Sequence, residues 1–486
     1  MSINISDQKQ GSTKIANRKF LVAVFLLALL PRLSLILLTR DVPIGLDDMF
    51  QYDMLARSIV AGDGYRWYGE DDLKLIQRFL PMEMPEEYDP RGIQTSFRGP
   101  GYPVFLAVAY RIVGVGEGRL FGARIVQAFL TALLAPLTWL LATKVGIKRG
   151  GAQLSAIIIA IIPLLIVYPI ALASENLFIL LLTLSLILCL AYMDRDSKFG
   201  FFITGFILGL TALTRSVVTG FLPLILLWGM WWGWEKRYRL RNSLFLVLGF
   251  FLITIPWMVR NSLLHEQPTW LETSLGYNMY MGYHPESTGK FEFGISLDLL
   301  PILDDAERHQ QGMEAFEKFV QEDPWRVPYL MVRKMGYQLG LDKRALIFFY
   351  SNGILGALPT PVLGAAFILA VLPFVIIGIG AAIGLAFIPF DRRTSLLIIF
   401  LLYYTLAHSL ILGDARFHVP LFPIFTILTA YTFTARPYGG APRWRFALAF
   451  LLVSLLILNW ATELYIDWDT LSAVFGPDGH RLRLSY

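Results

Sequence analysis

The sequence contains a single cysteine, Cys189, and few charged residues. One cysteine excludes a disulfide bond within the chain, and because this residue lies in an apolar run we expect it to be a small buried side chain. Asp, Glu, Lys and Arg together make up 16% of the 486 residues, against roughly 25% in a typical soluble domain. Residues with hydrophobic side chains make up 55%. The composition therefore excludes an ordinary soluble protein and predicts an integral membrane protein.

The basic residues form no patch of the kind that binds nucleic acid, although the net charge is +5. They occur in short clusters between apolar runs, for example at 236–241. Loops on the cytoplasmic side of membrane proteins are rich in Lys and Arg. With the N-terminus inside, every predicted inner loop is a basic one. The pattern therefore predicts a multi-pass protein of the cytoplasmic (inner) membrane, surrounded by membrane lipids and without a nucleic-acid partner.

Apolar runs of about 20 residues predict an all-α polytopic fold with about 11 transmembrane helices, in the range of about 10–13. The chain is expected to comprise a cytoplasmic N-terminal tail (1–19), a transmembrane domain (20–465) and an extracytoplasmic C-terminal tail (466–486). Two long polar segments, 41–118 and 261–344, interrupt the apolar runs, and the charge pattern places both outside. Helical spacing of their apolar residues predicts helices that lie along the membrane surface.

Three carboxylates are candidates for chemistry. Asp47 and Asp48 follow the first apolar run, and Glu175 lies in a very short turn between two others. Helix capping explains the aspartates in isolation, and a solvated turn explains the glutamate. The predicted topology, however, puts all three on the same outer face. Carboxylates at a bilayer surface carry a desolvation cost in free energy. They can supply a general base, together with a residue that supports the base or binds a metal ion.

Three arginines lie at the outer ends of spans and a fourth lies in the first outer segment, on the face where the positive-inside pattern predicts few basic residues. Anchoring at the interface explains any one of them. Four at one membrane level instead predict a phosphate site, because a guanidinium group can bind phosphate through two hydrogen bonds. His284 and His418 are candidate phosphate donors or metal partners of the acids. No known metal-ligand spacing is present, so a divalent metal ion is left open. The four arginines are Arg98, Arg215, Arg260 and Arg416.

Short motifs follow one another in a recognisable order over most of residues 20–425. Taken together, this ordered set resembles the polytopic GT-C glycosyltransferases, especially the bacterial relatives of protein O-mannosyltransferases and the aminoarabinose-to-lipid-A transferases. The motifs are the aspartate pair with Tyr52 and Ala56, Arg98-Gly99-Pro100-Gly101-Tyr102-Pro103, Ser174-Glu175, Leu213-Thr214-Arg215, Pro256-Trp257 with Arg260-Asn261, Tyr277-Asn278-Met279-Tyr280-Met281-Gly282, and Ala415-Arg416-Phe417-His418-Val419-Pro420.

The resemblance implies an inverting glycosyltransferase. It would move one sugar from a polyprenyl-phosphate-linked donor to a lipid, glycan or protein acceptor on the outer face of the membrane. The competing interpretation is a polytopic transporter or lipid flippase, which would use charges inside the membrane to move its substrate. The sequence shows no inverted repeat and its acids cluster outside, which favours the enzyme.

The resemblance also assigns roles to residues. Asp47 is expected to be the general base, while Asp48, which stands where the family has a glutamate, supports it together with Glu175. The donor phosphate is expected to bind Arg98, Arg215 and Arg416, with His418 as a further candidate. The candidates in the substrate loop are Arg260, Asn278, Tyr280 and His284.

Overall fold

The computed structural model describes residues 5–45, 47–79, 88–435 and 438–484. Leu46 and residues 80–87 of the first polar segment therefore lie outside the described residues, as do 1–4 and 485–486 of the predicted tails. Within the described ranges the chain is helical, apart from a short antiparallel ribbon in which β1 (Arg66–Trp67) pairs with β2 (Ile93–Gln94). The predicted all-α fold class is confirmed.

The described α-helices are numbered here in chain order. The first polar segment and the helices around it contain α1 (Ile5–Leu38), α2 (Asp48–Ala61), α3 (Glu70–Ile76), α4 (Gly101–Val113), α5 (Arg119–Ala132), α6 (Leu134–Val145), α7 (Arg149–Ile161) and α8 (Pro163–Val167). The middle of the chain forms α9 (Glu175–Tyr192), α10 (Lys198–Thr214), α11 (Phe221–Trp228), α12 (Arg239–Leu264), α13 (Ser274–Tyr283), α14 (Phe293–Ser296), α15 (Asp305–Glu322) and α16 (Arg326–Gln338). The rest forms α17 (Arg344–Ser351), α18 (Thr360–Phe387), α19 (Thr394–Ile411), α20 (Phe422–Ala435), α21 (Arg443–Ile466) and α22 (Trp468–Val474).

Tighter turns connect several of these helices. Short 3₁₀ helices are Tyr168–Ile170, Ser216–Gly220, Lys236–Tyr238, Ala415–Leu421 and Gly479–Arg481, and Gly229–Gly233 is a π-helical turn.

Nine helices within the described ranges are long and apolar enough to cross a membrane. A tenth candidate is the pair α7 and α8, which is bent by 54°, because Pro163 has no backbone N–H to continue the helix. The 13-residue helix α4 and the 17-residue helix α10 are shorter apolar helices. Ten candidate spans in the described ranges lie within the predicted range of about 10–13. The helix α1 begins at Ile5, inside the segment predicted as the N-terminal tail.

The two long polar segments lie on one side of the helical bundle, which we call the loop face. They contact each other directly: Thr95 Oγ1 donates to Asp305 Oδ2 at 2.6 Å. The basic loops gather on the opposite side, where Asp194 forms ion pairs with Arg392 and Arg393 at 3.1 and 3.7 Å. This separation is the one that the positive-inside pattern predicts, while the side of the membrane that each face occupies stays a prediction.

The helices predicted within the polar segments are present. In α2, Asp47 is the N-cap, and Gly62, with a φ of 88°, ends the helix in the left-handed conformation that glycine adopts easily. In α15, Asp304 is the N-cap through a hydrogen bond from Glu307 N. The helix α16 begins immediately after Trp325. These elements bring the two polar segments together above the ends of the membrane helices.

Candidate active site

A cavity of about 970 Å³ opens on the loop face. One end is lined by residues at the ends of α10 and α19, including Thr214 and His408. The other end is lined by the polar segment around Trp270 and Glu272 and by one side of α15. The cavity therefore connects the ends of the membrane helices with the second polar segment.

Asp48 forms the centre of a charged cluster in this cavity. Its carboxylate accepts a hydrogen bond from Arg98 Nη2 and lies 3.0 Å from Arg416 Nη1. Arg98 is held from its other side, since its Nε donates to Gln51 Oε1 at 2.9 Å. Although desolvation acts in the opposite direction, the charges of Arg98 and Arg416 lower the pKa of Asp48. The structure therefore brings one predicted carboxylate and two predicted phosphate ligands together.

A second ion pair lies beside the first. Glu175 is 2% exposed and its Oε1 lies 2.7 Å from Arg215 Nη1. The ring of Phe417 links the two pairs, because the guanidinium carbons of Arg215 and Arg416 lie 5.5 and 5.3 Å from its centroid. Cation–π contacts of this kind orient guanidinium groups. Arg98, Arg215 and Arg416 all line the cavity, as the phosphate-site prediction requires.

Two glycines explain how Arg98 and Arg215 come to one place. A Cβ atom at Gly99 would lie 2.4 Å from the carbonyl oxygen of Leu213, and one at Gly101 would lie 2.5 Å from Thr214 Oγ1. Real side chains do not fit at these distances, so only glycine allows the start of α4 to pack against the end of α10. Arg98 precedes the first glycine and Arg215 follows α10, so this contact places both arginines at the cavity.

Asp47 lies at the edge of the cluster and not in the wall of the cavity. Its Oδ1 accepts a hydrogen bond from Met49 N at 2.8 Å, which is the capping contact. Partial desolvation and then the charge of Asp48 raise the pKa of Asp47. The capping alternative is therefore present in the structure, and the role of Asp47 as base stays a prediction.

The four residues predicted to contact substrate from the substrate loop do not lie together. Asn278 lines the cavity. Tyr280 and His284 instead pack around Phe319, with ring centroids 5.8 and 5.6 Å away. Arg260 donates to the carbonyl oxygen of Thr95 at 2.6 Å and so ties α12 to the segment that follows β2. Arg260, Tyr280 and His284 thus lie outside the wall of the cavity that Asn278 lines, and their role at the substrate stays a prediction.

His418 does not line the cavity, and its role as a phosphate ligand stays a prediction. Its side chain is fully buried, with Nε2 at 2.8 Å from Asp342 Oδ1 and Nδ1 at 2.8 Å from the carbonyl oxygen of Gln338. The ring stacks on Phe374 at a centroid distance of 4.2 Å. Both ring nitrogens are thus engaged in contacts that join the Ala415–Leu421 turn to α16 and the segment after it.

Sequence reasoning missed several polar residues that line the cavity, among them Glu272 and His408. Glu272 accepts a hydrogen bond from Ser216 Oγ, and it lies in the second polar segment without a motif to identify it. His408 lies in the last turn of α19 and is 6% exposed. An ionisable residue inside an apolar span is itself a signal of function, and this signal could have identified His408.

No group of three or more His, Cys, Asp or Glu side chains suited to a metal ion occurs in the part of the chain that the structure describes. A requirement for a divalent metal ion therefore stays a prediction without structural support.

Comparison with known proteins supports the fold. Residues 112–264 match the family model of dolichyl-phosphate-mannose-protein mannosyltransferases, whereas none of the curated proteins matches. The apo oligosaccharyltransferase of Archaeoglobus fulgidus is 15% identical with a TM-score of 0.52, over 95% of this chain and 58% of that one. The likeness at this identity is one of fold, and it supports the predicted polytopic all-α architecture.

Two further solved structures have similar values. AglB from Archaeoglobus fulgidus, in complex with an inhibitory peptide and a dolichol-phosphate, is 15% identical with a TM-score of 0.49, over 96% of this chain and 59% of that one. ArnT from Cupriavidus metallidurans bound to undecaprenyl phosphate is 13% identical with a TM-score of 0.47, over 95% of this chain and 65% of that one. The chain thus spans about three fifths of the length of the solved structures that it matches.

Proposed function

We propose that this protein is a membrane glycosyltransferase that moves one sugar from a polyprenyl-phosphate-linked donor to a lipid, glycan or protein acceptor on the extracytoplasmic face. The observation that supports this most directly is the convergence of Arg98, Arg215 and Arg416 around Asp48, in a cavity that begins at the ends of the membrane helices. The family match points the same way, because dolichyl phosphate is itself a polyprenyl-type phosphate.

The arrangement of the arginines suits a lipid-linked phosphate. Asp48 holds two of the guanidinium groups and Glu175 holds the third. The carboxylates orient the arginines, which can stabilise the negative charge that develops on the phosphate when it leaves. Because the cavity reaches the ends of α10 and α19, a donor whose tail stays in the bilayer can bring its phosphate to this cluster.

The proposed reaction is a single displacement. The oxygen of the acceptor hydroxyl forms a bond to the anomeric carbon, and the bond from that carbon to the phosphate oxygen breaks, with its electron pair passing to the phosphate. The hydroxyl proton passes to an aspartate, and the anomeric centre is inverted. We assign the base to Asp47, because it has no ion pair within the described residues and its pKa is raised. Asp48 then serves to orient Arg98 and Arg416.

The position of the charged cluster also bears on the transporter alternative. Transporters commonly bind their substrate near the middle of the bilayer, at discontinuous helices. Here Asp48 and Arg98 belong to a polar segment, while Arg215 and Arg416 lie at helix ends on the loop face. This placement favours chemistry at the membrane surface.

Transfer of a radiolabelled sugar from a synthetic short-chain polyprenyl phosphate, by the purified full-length protein, tests the proposal. A panel of donors that differ in the sugar, incubated with membrane lipid extracts or peptides as acceptors, should yield one labelled product. Nucleotide-linked sugars should yield none. If the reconstituted protein moved the intact donor across liposomes without breaking the sugar–phosphate bond, the transporter would be the correct interpretation.

A further inference from the structure

His408 is a buried polar side chain in the wall of the cavity. It lies in the last turn of α19, and its ring contacts those of Tyr404 and Phe417 at centroid distances of 4.3 and 4.4 Å. Its Nδ1 lies 3.0 Å from the carbonyl oxygen of Tyr404. A carbonyl oxygen can only accept, so Nδ1 carries a hydrogen. Nε2 has no hydrogen-bond partner among the described residues.

The open nitrogen belongs to a ring that shares its neighbours with the arginines. Phe417, which contacts the imidazole, also lies beneath the guanidinium groups of Arg215 and Arg416 at 5.5 and 5.3 Å. His408, Arg215 and Arg416 all line the cavity. The ionisable groups around the imidazole are thus these two arginines and Tyr404, with Asp48 and Glu175 as the arginines' partners. The imidazole and the two guanidinium groups thus share both the ring of Phe417 and the wall of one cavity.

The proposed reaction changes the charge of the phosphate. A sugar-linked phosphodiester carries one negative charge, whereas the phosphate monoester that leaves carries up to two at neutral pH, because its second pKa is about 6. Arginine cannot respond to this change, since it is protonated throughout. A histidine can, because a neutral imidazole is able to accept a proton when a doubly charged phosphate comes beside it.

We propose that His408 is a ligand of the phosphate leaving group and that it becomes cationic as transfer proceeds. When the sugar–phosphate bond breaks and its electron pair passes to the phosphate, Nε2 takes up a proton from the acid form of the solvent buffer and donates it in a hydrogen bond to a phosphate oxygen. The acceptor's own proton passes separately to the aspartate. This inference rests on the proposed function. It adds His408 as the group whose positive charge balances the extra negative charge of the leaving phosphate.

Two probes separate this role from simple packing. A short-chain polyprenyl phosphate presents the monoester, and its methyl diester presents the same lipid with a single charge at every pH. In His408→Asn the amide nitrogen can replace Nδ1 and keep the contact with Tyr404, but nothing replaces Nε2. In His408→Gln a neutral amide reaches closer to the position of Nε2.

Equilibrium binding of both probes to the purified full-length protein at pH 7 is the measurement. His408→Asn should weaken binding of the monoester about tenfold or more, because a charged hydrogen bond is lost, and should change binding of the diester less than about twofold. His408→Gln should lie between. In the wild type the preference for the monoester should decline as the pH rises to 9.

Equal weakening of both probes would show that His408 only supports the packing of the cavity, and unchanged binding of both would show that it does not contact the phosphate. Either result overturns the inference while the proposed function stands. If the wild-type protein bound neither probe, the donor assignment itself would be wrong and the inference would fall with it.

Discussion

Arg416 and His418 are two positions apart, yet they contact different parts of the molecule. They lie in a 3₁₀ helix, Ala415–Leu421, which has three residues per turn, so side chains two positions apart point in directions that differ by about 120°. Arg416 consequently reaches Asp48 while His418 reaches Asp342. The sequence places Arg416 and His418 at the same membrane level. It does not show which way each side chain points, because the 3₁₀ form of the turn depends on tertiary packing. The three arginines were predictable because charge at an apolar boundary needs a partner.

At this scale the two aspartates can be separated by substitution. Asp47→Asn keeps the cap, because asparagine caps a helix as well as aspartate does, but it cannot accept a proton. We expect the rate of sugar transfer to fall by about 10²–10⁴-fold, with unchanged thermal stability. Asp48→Asn should weaken donor binding instead, since Arg98 and Arg416 lose their common partner. Full activity of Asp47→Asn beside an inactive Asp48→Asn would move the base by one residue.

Arg416 provides a second test among the residues of the site. Arg416→Ala should weaken binding of a polyprenyl-phosphate donor by about tenfold or more, because a charged hydrogen bond contributes about 1.5–3 kcal/mol. Lysine at 416 should restore part of the loss, since it carries the charge but not the planar fork. Arg91→Ala is the matched control, because Arg91 forms an exposed ion pair with Asp89 outside the cavity. If Arg416→Ala, Arg416→Lys and Arg91→Ala all bound the donor with equal affinity, Arg416 would only anchor its helix end at the membrane interface.

Among the elements, the contact between α4 and α10 decides the geometry of the site. Both helices could be predicted from their apolar spacing, and so could α2, α15 and α16. Their contact could not, since the reason for it is a pair of glycines facing a helix end. The ribbon of β1 and β2 was also not predicted, because strands of two residues carry no alternating pattern.

We therefore expect Gly99→Ala to reduce activity through the contact between elements. The added methyl group would meet the Leu213 carbonyl oxygen, and relief of this overlap should cost about 1–3 kcal/mol of stability and move Arg98 away from Arg215. The melting temperature and the rate of sugar transfer should both fall. Gly116→Ala is the control in the same polar segment, because a Cβ atom there meets no atom within 4 Å. If both variants behaved like the wild type, close approach at this contact would not be needed.

For the molecule as a whole, charge patterning was sufficient to predict which segments share a face. The basic loops meet one another on one side, as the ion pair between Asp194 and Arg392 shows, and the polar segments meet on the other. What could not be predicted is the depth of the contact between the polar segments. Asp305 is 2% exposed and accepts from both Thr95 and Ser96, and no pattern in the sequence indicates that pairing.

The orientation in the membrane is the prediction that belongs to this scale. Single cysteines at the exposed positions 236 and 290, in a Cys189→Ala background, report the two faces. A membrane-impermeant maleimide should label position 290 in intact cells and position 236 only after lysis, because basic loops stay in the cytoplasm. The reverse pattern would place the cavity inside the cell and remove the case for an extracytoplasmic reaction.

The ion pair between Asp48 and Arg416 joins residues 368 positions apart. During synthesis the aspartate leaves the ribosome long before its partner, so a growing chain contains the carboxylate for most of its translation without the guanidinium group. The site is completed only when the turn after α19 has reached the loop face, which requires every preceding span to have been inserted in the correct direction. A nascent chain with one inverted span would leave these two charges on opposite sides of the bilayer. Formation of the proposed active site therefore depends on the correct insertion of every earlier span.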